Sequence, residues 1–142
     1  MTPSENLARF FPAMFADDRE TLGELLAAEV VWHVPPFTLE RFGDRVGRQA
    51  VLDFLCAAGD EFYRPGSFSL EPEVEAVEGD RAIWLGRLHA TTAKGAAYAN
   101  RYAFGFRYAQ GRIVEAWELL DSAHFEAQME GAQNRPTQRR SS

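Results

Sequence analysis

The segment EAWELLDSAHF, Glu115 to Phe125, brings a carboxylate to the end of an apolar, aromatic-bearing stretch. Trp117, Leu119 and Leu120 read as strand residues that belong in a core, and Asp121 follows them directly. An acid at such a place suits a solvated strand end, a helix N-cap or an acid–base group at the mouth of a pocket. Taking a proton from a carbon beside a carbonyl needs a base in apolar surroundings, because desolvation disfavours the charged form and raises the carboxyl pKa toward the working range. Asp121 is a candidate for such a carboxyl, and the preference of aspartate for helix N-caps is the competing explanation. On a strand, Glu118 has the opposite parity to Asp121, so one of the two faces a cavity unless a bulge intervenes. Trp117 and Glu115 share the parity of Asp121, which makes Trp117 a candidate pocket wall and sets a glutamate on the same face.

A second group of candidates lies on one face of a single alternating segment, 98–108. Tyr98, Asn100, Tyr102, Phe104, Phe106 and Tyr108 point one way; Ala99, Arg101, Ala103, Gly105 and Arg107 point the other. If the bulky face lines a hollow, Asn100 is a buried polar side chain that needs a partner: a ligand carbonyl, a water or Asp121. Tyr98 and Tyr102 then become donors to an oxyanion that develops on a substrate. Tyr108 is expected at the rim of the core with its hydroxyl in solvent. In the earlier segment VVWHV, alternation sets Trp32 and His33 on opposite faces, and Trp32 is the better candidate for a pocket wall.

Other chemistries find less support. The histidines lack the i, i+4 spacing of a helical metal site, and no His–carboxylate cluster has ligand spacing. There is no glycine-rich phosphate loop and no G-x-S-x-G elbow, so the expected mechanism uses no cofactor. Cys56 is the one cysteine, set in the apolar run VLDFLCAAG, and reads as a small buried hydrophobe. A formal net charge of −6 argues against a nucleic-acid surface. No stretch is apolar for long enough to span a membrane, and the N-terminus lacks the features of a signal peptide, so a cytoplasmic protein is expected.

The elements that must position these residues follow from periodicity. Leu7, Phe10, Phe11, Met14 and Phe15 have the spacing of an amphipathic helix, with Ser4 as a plausible N-cap. A second helix is expected from Asp17, with Glu20 completing a capping box and Leu22, Leu25 and Leu26 facing inward. A strand over 30–34 ends at Pro35 and Pro36. The apolar loop that follows carries Phe37, Leu39 and Phe42, and a third helix runs over about 49–62. From Phe68 onward, turn signals at EGD, KG and QG divide four strands, which implies an antiparallel meander. A short helix after Asp121 is expected to bury Phe125 and Met129. The chain thus reads as one domain over residues 1–130 and a polar tail, 131–142, expected to be disordered. The fold class is α+β: a cone-like barrel in which three N-terminal helices pack on the concave face of a curved antiparallel sheet, leaving a hollow for a ligand. The small-residue face of the sheet suits contact with another sheet, and a homodimer through it is expected.

The last strand carries a resemblance. QGRIVEAWELLDSAHFEAQM is similar to the dGkIvEhW-x-x-x-D-x-x-x-l-x-x-Ql pattern of SnoaL-like polyketide cyclases, within the nuclear-transport-factor-two-like superfamily. Gly111, Ile113, Glu115, Trp117, Asp121 and Gln128 fall at the matching spacings. VVWHVPP and GRQAVLDFL resemble the family's first strand and third helix, and the likeness spans roughly residues 5–130. The resemblance implies an acid–base role for Asp121 and an assisting one for His89, although LHAT stands here where the family has THxG, and AKG where it has a PTG turn. It implies a cofactor-free cyclase, isomerase or dehydratase acting on a small hydrophobic carbonyl compound. A non-catalytic ligand-binding or dimerising module of the same fold is the alternative. Epoxide hydrolysis ranks below both, since the Arg-x-Asp pair of limonene epoxide hydrolases is replaced by Arg87-Leu88-His89.

Overall fold

The structure, a computed structural model, describes residues 1–34 and 43–132, without the side chains of 57–61 and 130–132. The expectations for Phe37, Leu39, Phe42 and residues 133–142 fall outside the described residues. Helix α1 spans Pro3–Phe15 and α2 spans Arg19–Leu25; they are followed by β1 (Leu26–His33), β2 (Arg45–Val46) and α3 (Arg48–Phe62). The meander is β3 (Ser69–Glu78), β4 (Arg81–Thr91), β5 (Ala97–Ala109) and β6 (Arg112–Leu120), and α4 (Ser122–Ala132) closes the described chain. The expected element order and α+β class hold.

Two helix starts differ from the sequence reading. Thr2, not Ser4, caps α1: its hydroxyl accepts from the Glu5 amide while the Glu5 carboxylate accepts from the Thr2 amide. Asp18, not Asp17, caps α2, and Asp17 takes a left-handed φ of 53° at the corner between the helices. Such a reciprocal cap satisfies backbone donors that the first helical turn leaves unpaired.

The six strands form one sheet in the order β2-β1-β6-β5-β4-β3. β1 runs parallel to β6, and the meander pairs are antiparallel. β5 alternates as expected, with Tyr98, Asn100, Tyr102, Phe104, Phe106 and Tyr108 buried. Tyr108 is the exception in one respect: its hydroxyl is buried without a hydrogen-bond partner among the described residues, not at a solvated rim. The inner face meets α1 through Phe10 and Phe11, whose rings contact Trp32, Trp84, Phe104 and Phe106. Burying aromatic surface of this size supplies most of the driving force for such a fold.

β6 does not alternate throughout. Gln110 and Gly111, with φ of 53° and 81°, make the tight turn after β5. Tyr108 then pairs with Ile113 but Arg107 pairs with Glu115, so Val114 is the extra residue of a β-bulge. Ile113 and Ala116 are both fully buried, an odd and an even position. Beyond the bulge, the parity of the strand is reversed.

Asn6 ties the helices to this turn. Its fully buried amide donates to the Leu25 carbonyl (3.0 Å) and the Gly111 carbonyl (2.8 Å). Asn6→Ala leaves both acceptors without this donor, so a loss of about 2–4 kcal/mol is expected, measured as a lower urea midpoint at unchanged slope.

Candidate functional site

A cavity of about 390 Å³ lies between the inner face of the sheet and the helices. Its walls are mainly aromatic and aliphatic: Phe15, Phe54, Phe62, Phe68, Phe104 and Phe125, with Met14, Leu55, Leu88 and Leu120. The groups that break this apolar lining are Tyr63, Tyr102, Glu118 and, in the corner between α1 and α2, Asp17. No arginine, lysine or histidine lines the cavity among the described residues.

Glu118 brings a carboxyl into the cavity from the sheet. The bulge at Val114 turns Ala116, Glu118 and Leu120 inward, with Glu118 directly across from Phe104 on β5. Burial pushes its pKa up from 4.5 to about 7, opposed in part by the Trp32 indole N–H, which donates to Oε1 at 3.0 Å. By surface area Glu118 is only half-buried. The open side of the carboxyl faces the apolar hollow, where the charged form is poorly solvated.

Beside it lies a cluster of hydroxyls. Tyr98 and Tyr102 oxygens are 3.0 Å apart, and the Asn100 amide donates to Tyr98 (3.0 Å) and to the backbone carbonyl of Asp121 (3.1 Å). Tyr63 stands against this pair, its ring 5.5 Å from that of Tyr98. Burial first, and the negative charge of Glu118 further down, raise the pKa of all three phenols, so they stay neutral donors. Tyr102 precedes Phe104 by two positions on β5, which makes it a diagonal neighbour of Glu118, at about 7–8 Å between backbones. A small carbonyl compound can therefore meet a hydroxyl donor and a carboxyl base at once.

The sequence candidates divide accordingly. Tyr98, Asn100 and Tyr102 come together as expected, with Tyr102 on the cavity and the other two behind it. Asp121 is corrected: its side chain is exposed and Oδ1 accepts from the His124 amide at 3.0 Å, the N-cap of α4. The bulge is the physical reason, since parity counted from Ile113 would have turned Asp121 inward. Trp117 is corrected for the same reason: it lies 40% exposed on the outer face, stacked on His33. Trp32 is on the inner face but fully buried behind Glu118, not a wall of the cavity. His89 is also on the outer face, 3.0 Å from the exposed Glu71, and is not among the residues that line the cavity. The sequence did hold a signal here: Leu88 and Ala90 are buried, and a residue between two inward positions points outward. Among the described residues no three His, Cys, Asp or Glu side chains gather as a metal site, and no helix is long and apolar enough to cross a membrane.

Comparison with known proteins agrees with this architecture. A structure of IdmH from Streptomyces antibioticus, described as a candidate polyketide cyclase, superposes with a TM-score of 0.75 at 23% identity, covering 92% of this chain and 99% of that one. A candidate isomerase from Rhodopseudomonas palustris gives a TM-score of 0.75 at 25% identity, over 89% of this chain and 96% of that one. An NTF2-like protein of unknown function from Burkholderia pseudomallei gives 0.77 at 21%, over 91% and 98%. No curated protein matches the chain in sequence. The profile of the SnoaL-like domain matches residues 7–116, and the chain belongs to that family, with an NTF2-like fold.

Proposed function

We propose that the protein is a cofactor-independent acid–base enzyme that moves a proton on a small hydrophobic carbonyl compound, as an isomerase or cyclase does. One observation carries the reading: the Glu118 carboxyl stands among the aromatic walls of the cavity, where burial pushes it up toward neutrality. A base works best when its pKa lies near the ambient pH, because it is then both available and strong enough. Glu118 takes a proton from the carbon beside the carbonyl. The developing oxyanion accepts from Tyr102 or Tyr63, which Tyr98 and Asn100 hold in place. The carboxylic acid then returns the proton to another position; in a cyclisation the enolate carbon instead attacks a second carbonyl of the same molecule, whose C=O π bond opens and whose oxygen takes the proton from Glu118. The descriptions of IdmH as a cyclase and of the Rhodopseudomonas palustris protein as an isomerase favour the same chemistry.

The test uses 2-tetralone, an apolar ketone with exchangeable α-protons, followed by NMR in heavy water. The exchange rate is expected to rise with pH and level off above about 7, the Glu118 midpoint. Glu118→Gln should slow it by about 10²–10⁴-fold, whereas Asp121→Asn should leave it near the parent rate. Binding of 2-tetralone with no exchange would favour the non-catalytic ligand-binding alternative.

The same carboxyl sets a pH dependence of stability. Its pKa is 4.5 when unperturbed and about 7 in the fold, so between these values the folded chain holds the extra proton. Stability therefore falls as pH rises through that window, by a total of about 3 kcal/mol. Glu118→Gln removes the dependence: denaturant unfolding should find the variant more stable than the parent at about pH 8 and little different at about pH 4.

The outer face supports a second proposal, a homodimer through the sheet. Two apolar rows cross it in register, Trp117–Gly105–Ile83–Ala76 and Leu119–Ala103–Leu85–Val74. The ion pairs Arg107–Glu115 and Arg101–Glu73 flank them on either side. An apolar band edged by both signs of charge is self-complementary under a two-fold axis. Light scattering at micromolar concentration should give twice the chain mass, and Leu119→Glu should halve it; a monomeric parent would end the proposal.

A further inference from the structure

We propose that Trp32 is the positioning residue of the site: its indole N–H fixes one oxygen of Glu118 and leaves the other to carry the proton. The proposal rests on the acid–base reading of Glu118 and deepens it. Trp32 is fully buried and stands opposite Ala116 in the parallel β1–β6 pair. The small side chain of Ala116 leaves the indole room to reach along the sheet to Glu118, two residues further on. Phe10 stacks on the indole at 5.6 Å and 21°, and Phe104 and Phe106 meet it edge-on. The ring is thus held on more than one side, and its donor is aimed at Glu118 Oε1 over 3.0 Å.

Among the described residues, Trp32 supplies the hydrogen bond to this carboxyl, and Oε2 is left without a protein donor. A carboxyl without such an anchor would turn about its last torsion, and its basic oxygen would spend part of its time away from the substrate. The bond also acts on the charge. An N–H donor favours the ionised form and opposes burial, so the indole keeps Glu118 from becoming a permanently protonated acid. The other titratable groups facing Glu118 are Tyr63 at the end of α3 and Tyr98 and Tyr102 on β5, with Asp17 lining the same cavity from the corner between α1 and α2. None of them is a cation, so the indole is the stabiliser of the ionised form.

Infrared titration of the Glu118 carboxyl band, assigned by its loss in Glu118→Gln, tests this directly. In Trp32→Phe the midpoint should move up by about one pH unit, a tenfold change in the ionised fraction. The midpoint of the 2-tetralone exchange profile should move with it. Incorporation of β-(3-benzothienyl)alanine at position 32 replaces the N–H by sulfur and keeps volume and stacking. It must give the same upward shift even if Trp32→Phe fails to fold. An unmoved carboxyl midpoint in the benzothienyl protein overturns the proposal. A shifted midpoint in a protein whose parent exchanges no 2-tetralone supports the hold of Trp32 on Glu118 and overturns the catalytic reading alone.

Discussion

The extra residue at Val114 decides which side of β6 faces the cavity. Side chains on a strand alternate, so one inserted residue moves every later side chain to the opposite face. Before the bulge Ile113 points inward; after it Ala116, Glu118 and Leu120 do, and Trp117 and Leu119 are left outside. The two glutamates beyond the bulge are three positions apart and so face opposite sides, and the bulge decides which of them faces inward. Glu115 lies outward, where the hydrogen bond with His33, then that with Arg107, hold its carboxyl below the usual range. Glu118 lies inward, where burial raises its carboxyl to about 7. Three positions apart on one strand, the same side chain is a surface ion-pair partner in one case and a candidate base in the other.

A carboxyl in an aromatic hollow costs free energy, and the surrounding residues determine how it is tolerated. No cation lines the cavity to pair with it among the described residues. A buried Arg or Lys there would hold the carboxylate well below neutrality and make it a poor base. The indole of Trp32 is a milder partner: it donates one hydrogen bond without adding charge. The tyrosines are likewise neutral and serve as donors while burial keeps them protonated. The arrangement keeps the cavity lining free of positive charge among the described residues and leaves the ion pairs Arg101–Glu73 and Arg107–Glu115, with the His89–Glu71 hydrogen bond, on the outer face.

Much of the fold is legible in the sequence because it rests on long periodic segments. The eleven positions of 98–108 alternate without interruption, and their buried face is the one that bulk and polarity indicate. The meander turns and the order of the helices follow from equally local signals. The candidate site is legible only in part. Tyr98, Asn100 and Tyr102 are found because their strand keeps its parity. Glu118 is missed because a bulge leaves no mark in composition: RIVEAWELL reads as an ordinary strand, and nothing in its residue types singles out Val114 as the unpaired one. Helix caps shift by a residue or two for a related reason, since Thr2 and Asp18 compete with neighbours of equal capping ability, Ser4 and Asp17.

The family motif adds a different lesson through Asp121. The resemblance implies an acid–base role there, yet the Asp121 side chain caps α4 and its part in the candidate site passes through the backbone. The Asp121 carbonyl accepts from Asn100, and the other Asn100 contact is to the Tyr98 hydroxyl, which in turn meets Tyr102 on the cavity. The cap fixes where α4 begins and so where that carbonyl points. Any residue able to cap the helix would hold the carbonyl equally well, since a backbone oxygen does not depend on side-chain identity. An aspartate at the end of the last strand is thus compatible with two layouts: one in which its carboxylate enters the cavity, and this one, in which it anchors the hydroxyl cluster while Glu118 occupies the cavity in its place.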